Sequence, residues 1–229
     1  MMTTAQRHDA PGLPDSHDSP DFPETPRHAE GEDISILPRI FEDDINIAIL
    51  RRQLPKEVQA GVNAQLQANS ALSLSWLGPP GDALRCELAQ RLHAPDACGA
   101  LIEDIVTLAE AMACLFDTEA VGLRLRRLAS AMCPRFHCDH LPVRLVTTYH
   151  GPGCEWLPEW AVNRQGLGAP RPDKPEIAAA PSAIRRLGTG DLALLKGSGW
   201  IGNEEHGLVH RSPDLPASHE RLLLTIDPA

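Results

Sequence analysis

The sequence predicts an α+β chain, with helices first and an antiparallel β sandwich or barrel after them. Three observations lead there. Apolar residues recur at three- and four-residue spacing through 82–130. After residue 133 the pattern changes to β-branched, alternating runs punctuated by glycine and proline. Hydrophobic residues make up 42% of the chain but aromatics only 4%, so a core is available and aliphatic side chains must fill it.

The 229 residues suffice for one sizeable domain, or one domain with an appendage. Residues 1–33 hold five prolines, eight acids and two arginines, and this composition predicts a disordered tail that carries −6 of the net charge of −10. Residues 34–130 form a mainly helical region, and 131–229 a β core compact with it. An acidic chain lacks the basic surface of a nucleic-acid binder. No apolar run reaches the roughly 18 residues of a membrane span. The N-terminal segment MMTTAQRHDAPGLPDSHDSP has no apolar stretch of signal-peptide type, so a cytoplasmic protein with thiol cysteines is expected.

Taken in order, ISIL and INIAIL read as short extended segments. Pro55 suits the first turn of a helix through KEVQAGVNAQLQA. SALSLSWLG alternates Leu72, Leu74 and Trp76 as a strand does, and GPPGD turns the chain. Leu84, Leu88 and Leu92 share one helix face, and Leu101, Ile105, Leu108 and Met112 share another. Cys86 and Cys114 in these stretches read as core residues. Asp117 or Thr118 would cap the next helix, with Val121, Leu125 and Leu128 inward and Arg124, Arg126 and Arg127 on its solvated face. VRLVTTYH is a strand, GPG a turn, and CEWL the start of another strand. A Pro/Gly-rich connection over 163–182 leads to three more strands, DLALLKG, GLVHRS and RLLLTID.

Five potential metal ligands fall within CPRFHCDH: Cys133, His137, Cys138, Asp139 and His140. On a strand, His137 and Asp139 share a face while Cys138 and His140 point the other way. A third ligand is available in His210 of GLVHRSP. Two imidazoles and one carboxylate make the facial triad of non-haem iron(II), which leaves coordination positions open. Arg221, opening the last strand, could hold a carboxylate through two hydrogen bonds. Arg144 and Thr147 lie inward or outward according to strand parity. The tryptophans of CEWLPEW and of the GSGWIGNEEHG loop read as packing residues, with a substrate mouth as the alternative.

His-x-Asp, a distal histidine and an arginine on the final strand resemble the iron(II)/2-oxoglutarate dioxygenases. HCDHLPVRLVTTYHGPGCEWL and TGDLALLKG are similar to the prolyl-hydroxylase-like branch, over roughly residues 133–227. The resemblance implies a double-stranded β-helix, a cupin-like jelly roll, with the N-terminal helices packed on it. It implies Fe(II) on His137, Asp139 and His210, and 2-oxoglutarate as co-substrate anchored by Arg221 with help from Tyr149. Leu223 stands two residues after Arg221, where that family often carries serine or threonine, and Thr225 would share the same face. CPRFHCDH, GPGCEWLPEW, DLALLKG, GLVHRSP and RLLLTID together also resemble a bacterial family known only as domain of unknown function 1826. That family brings no established activity, only a contextual link to metal-homeostasis proteins.

A rival reading keeps a metal but changes its identity. Cys133, His137, Cys138 and His140, with Cys154 as a further candidate, offer zinc the thiolate and imidazole ligands it prefers, for a role in zinc homeostasis without oxygenase activity. The absence of a Cys-x-x-Cys pair and the opposite directions of His137 and Cys138 count against it. The substrate of an oxygenase would be a small molecule or a protein side chain.

Overall fold

A computed structural model describes residues 27–68 and 71–229. Most of the expected acidic tail, residues 1–26, lies outside them. Its last part does not belong to a tail: β1 (Arg27–Gly31) pairs in parallel with β2 (Ile45–Leu50). The pairing hides Ala29 against the buried INIAIL run.

ISIL is not a strand. Residues Ile34–Phe41 form a 3-10 helix whose first turn is capped by the Asp33 carboxylate, which accepts from the Ser35 N–H at 2.9 Å. Then come α1 (Lys56–Gln67), β3 (Ser73–Gly78), α2 (Asp82–Arg91) and α3 (Gly99–Leu115), each where its periodicity places it. The faces hold as well: Leu84 and Leu88 of α2 and Leu101, Ile105, Leu108 and Met112 of α3 are buried. Cys86 and Cys114 are exposed rather than core residues. Each sits two positions from a buried residue, about 200° round the helix.

The segment expected to be a further helix after α3 is a strand, β4 (Val121–Leu128). Val121, Leu123 and Leu125 alternate with Gly122, Arg124 and Arg126, a period of two that the three- and four-residue spacing of the same leucines masks. Asp117 takes a positive φ of 48° and turns the chain instead of capping a helix. The remaining strands are β5 (His137–Cys138), β6 (Val143–His150), β7 (Glu155–Trp156), β8 (Arg185–Arg186), β9 (Leu192–Lys196), β10 (Val209–Arg211) and β11 (Arg221–Pro228).

The strands make two sheets. The large one runs β1-β2-β9-β6-β11-β4-β3 and is antiparallel except at β1–β2. The small one runs β5-β10-β7-β8. Helices make up most of the regular structure in the N-terminal region, as expected, but β2, β3 and β4 also weave it into the large sheet.

Alternation along each strand sorts the side chains of the large sheet. Leu222, Leu224 and Ile226 of β11, Leu145 and Tyr149 of β6 and Leu123 and Leu125 of β4 join one core with α1, α2 and α3. The opposite face, with Ile47, Val146, Leu195 and Leu223, meets Cys154, Trp156 and Leu208 from the small sheet and its flanks. Each buried leucine or isoleucine contributes about 1.5–3 kcal/mol. A third cluster, Phe136, Leu157, Ile177 and Val209, packs the 163–182 connection on the reverse face of the small sheet. Among the described residues no helix is long and apolar enough to cross a membrane.

Candidate metal centre

The interior between the two sheets is where β5 and β10 deliver their side chains. The pair is antiparallel with His210 directly opposite His137. The two rings lie 4.6 Å apart, centre to centre. Asp139 follows two residues after His137 and turns its carboxylate between them, with Oδ1 3.6 Å from His137 Nε2 and Oδ2 3.7 Å from His210 Nε2. The donor atoms of these three residues all lie within 4.8 Å of one another. They are the one group of three or more His, Cys, Asp or Glu residues with this convergence among the described residues.

Backbone carbonyls orient both imidazoles. His137 Nδ1 faces Arg135 O at 3.0 Å, and His210 Nδ1 faces Leu208 O at 3.3 Å. A carbonyl can only accept, so Nδ1 carries the proton and Nε2 presents its lone pair to the centre. Burial pushes the His210 pKa down to about 4, against the pull of Asp139. The neighbouring Asp139 carboxylate, which favours the protonated ring, raises that of His137, with burial opposing. Burial alone would raise Asp139, but His137, His210 and Arg144 together bring it down to about 2. The set therefore offers a carboxylate and a neutral buried imidazole at ordinary pH, the protonation states a divalent transition metal requires.

Arg144 on β6 supports the carboxylate. Its Nη1 donates to Asp139 Oδ2 at 2.6 Å, while Nε and Nη2 donate to the two oxygens of Asp227 on β11 at 2.7 and 2.8 Å. Arg124 of β4 adds a bond to Asp227 at 2.9 Å. Sequence reasoning left Arg144 undecided and passed over Asp227. Their signal was strand parity: Arg144 shares its face with Val146, and Asp227 shares its face with Leu223, both of which point between the sheets.

Arg221 is fully buried. Its Nη2 lies 3.3 Å from Thr148 Oγ1 and 3.4 Å from Cys154 Sγ, and its Nε and Nη1 have no partner. It borders the same interior as the triad, since Cys154, which it contacts, packs with Val146 and Leu223 between the two sheets. Gly151 makes this possible. Its φ is +80°, and a Cβ there would stand 2.3 Å from Glu220 O and 3.0 Å from Arg221 Cγ.

Tyr149 is not part of this site. It falls on the helix face of β6 and donates to Asp104 Oδ2 on α3 at 2.6 Å. One residue of parity separates it from Thr148, which reaches Arg221 instead. The zinc set does not assemble either. His140 is engaged with Ser198 Oγ at 2.9 Å, Cys154 is buried beside Arg221, and Cys138 lies where a Cβ on Gly207 would fall 2.2 Å from its sulfur. Neither these nor Cys133 join a group of ligands among the described residues. The tryptophans divide: Trp156 is buried and its ring lies 5.4 Å from that of His28, Trp200 sits against Phe41 and Phe116, and Trp160 is exposed rather than packed.

The sequence pattern described as protein of unknown function (DUF1826) matches residues 31–227. No curated protein matches. Among solved structures the chain is similar to the rice dioxygenase for auxin oxidation, at 13% identity over 80% of this chain and 73% of that one, with a TM-score of 0.47. It is also similar to a Pseudomonas putida prolyl-4-hydroxylase, at 13% identity over 85% and 96%, with a TM-score of 0.42. The Arabidopsis thaliana dioxygenase for auxin oxidation 1, solved as a complex with 2-oxoglutarate, shows 10% identity over 89% and 92%, with a TM-score of 0.47.

Proposed function

The chain belongs to the DUF1826 family, and we propose that it is an iron(II)- and 2-oxoglutarate-dependent oxygenase built on a double-stranded β-helix. His137, Asp139 and His210 would hold the iron, and Arg221 would pair with the distal carboxylate of 2-oxoglutarate. Bound there, iron(II) supplies the activation of dioxygen that is coupled to decarboxylation of 2-oxoglutarate to succinate and to oxidation of a substrate C–H bond.

The residues of this chain do the positioning. The backbone carbonyls of Arg135 and Leu208 keep both Nε2 atoms facing the ion. Arg144 holds the Asp139 carboxylate in its orientation and is itself fixed by Asp227. Arg221 waits as a buried cation beside Thr148. One observation carries the proposal: a buried guanidinium with two unpartnered nitrogens borders the interior that also holds a His-Asp-His cluster. Such a group costs several kcal/mol unless an anion completes it, roughly the penalty of an unpaired buried charge. A small dicarboxylate that chelates the metal at one end completes it at the other. The oxidised substrate is a small molecule or a protein side chain.

The test is an anaerobic titration of Fe(II) followed by 2-oxoglutarate, watched through the metal-to-ligand charge-transfer band. The band should form, and Arg221→Leu should weaken 2-oxoglutarate by about 100-fold while Fe(II) affinity stays within about twofold. His210→Ala should lose iron itself. An iron-loaded protein that shows no band and forms no succinate would overturn the proposal.

A further inference from the structure

Behind the small sheet, on the face opposite the two imidazoles, lies a cavity of about 660 Å³ that the proposed reaction does not use. Its floor is apolar, from Phe136, Ile177 and Ile184. Its walls carry four cations, Arg135, Arg171, Lys174 and Arg211, against one carboxylate, Glu176. In a chain of net charge −10 this is a local reversal of sign.

The charges are only partly compensated. Arg135 donates to Gly166 O at 2.9 Å and Lys174 to Leu167 O, and neutral carbonyls cancel no charge. Arg211 stacks over the Phe136 ring at 4.4 Å and pairs with Glu155, but Glu155 is shared with Arg186. Arg171 is paired, with Asp173 on the exposed rim. The wall is also built rather than loose. The 163–182 connection is tied back by Asn163 N–H to Ile177 O at 2.7 Å, by Ala179 N–H to Ala161 O at 2.9 Å and by the Val162–Ala178 bridge.

We propose that this cavity is a second ligand site, for an organic anion that joins an apolar body to a carboxylate or phosphate. The body would lie on Phe136, Ile177 and Ile184, and the anion would take bonds from Lys174 and Arg135. The size suits a small ligand. The pairing follows from charge: an oxyanion supplies the compensation that Gly166 O and Leu167 O do not. The cavity lies away from the metal centre, because Phe136 and Arg211 face the opposite side of the small sheet from His137 and His210; Arg135 meets His137 only through its backbone carbonyl, which a side-chain substitution keeps.

Calorimetric titration of the full chain tests it, with 1-naphthyl phosphate as the probe and 1-naphthol and inorganic phosphate as its two halves. The intact probe should bind one to one and at least about tenfold more tightly than either half. Lys174→Gln together with Arg135→Gln should cost about tenfold or more, with the circular dichroism spectrum unchanged. Arg221→Leu should leave the affinity within about twofold, which separates this cavity from the interior site. Equal binding of 1-naphthol, an unaffected double variant or a loss in Arg221→Leu would each overturn the proposal. None of these outcomes bears on iron or 2-oxoglutarate binding.

Discussion

Two arginine-centred clusters lie on opposite faces of the large sheet and differ in how completely they are satisfied. On the helix face, Arg52 donates from all three nitrogens, at 2.6 and 3.0 Å to Asp104 and at 2.8 Å to Gly190 O. Tyr149 closes the cluster by donating to the same Asp104, its hydroxyl held well above the usual phenol range by burial and by that carboxylate. Between the sheets, Arg221 is more deeply buried and yet leaves two nitrogens unpartnered. Buried polar groups in native proteins are almost always paired, so the first arrangement serves the fold and the second is kept at its expense. The chain separates the two by nothing more than alternation along β6: Tyr149 belongs to the helix side and Thr148 to the interior.

The contrast breaks most sharply at Asp104. Asp104→Ala strands Arg52 and Tyr149 together, and a loss of about 3–4 kcal/mol in denaturant unfolding is expected, with Fe(II) affinity unchanged. A comparable loss of metal binding would show that the two faces are coupled after all.

Acid gives the next largest effect. In the metal-free protein His210 is protonated only below a pKa of about 4, whereas in the unfolded chain it takes its proton below about 6.5. The unfolded state therefore binds more protons between these values, and stability falls as pH falls through that window. His137, whose pKa is raised, works in the opposite sense: it adds stability below the unfolded value and loses it as pH rises through the folded one. Comparing wild type with His210→Leu isolates the first effect. The difference should amount to roughly 2–3 kcal/mol between pH 6.5 and 4, and parallel curves would contradict a buried neutral imidazole.

The smallest effect is the most diagnostic. Arg221→Met keeps the volume and removes an unpaired buried charge, so the melting temperature should rise by the equivalent of about 1 kcal/mol. Removing an arginine that served the fold would lower it.

Much of this was legible in the residues, though unevenly. His137 and Asp139 stand two apart on a strand, so their common face is a local matter of backbone geometry, and Arg221 could be placed at the start of the last strand for the same reason. Helices α1 to α3 were likewise local, set by apolar periodicity and by Pro55 at the first N-terminus. Local pattern failed where one spacing served two structures. Val121, Leu125 and Leu128 fit a helix stripe, and only pairing of β4 with β3 and β11 decides for a strand.

The sequence alone determined which side chains have the right chemistry: two imidazoles and a carboxylate for a metal, and the Arg221 guanidinium at the start of the last strand. It also determined that Cys138 and His140 could not join His137 on one strand face. Tertiary structure decided the rest. The exact opposition of His210 to His137 across β5–β10, the burial that strips water from Arg221 and lowers His210, and the exclusion of Tyr149 all depend on contacts between residues far apart in sequence. Alternation fixes which neighbours share a face, but which face is buried, and against what, is settled only when the two sheets close on each other.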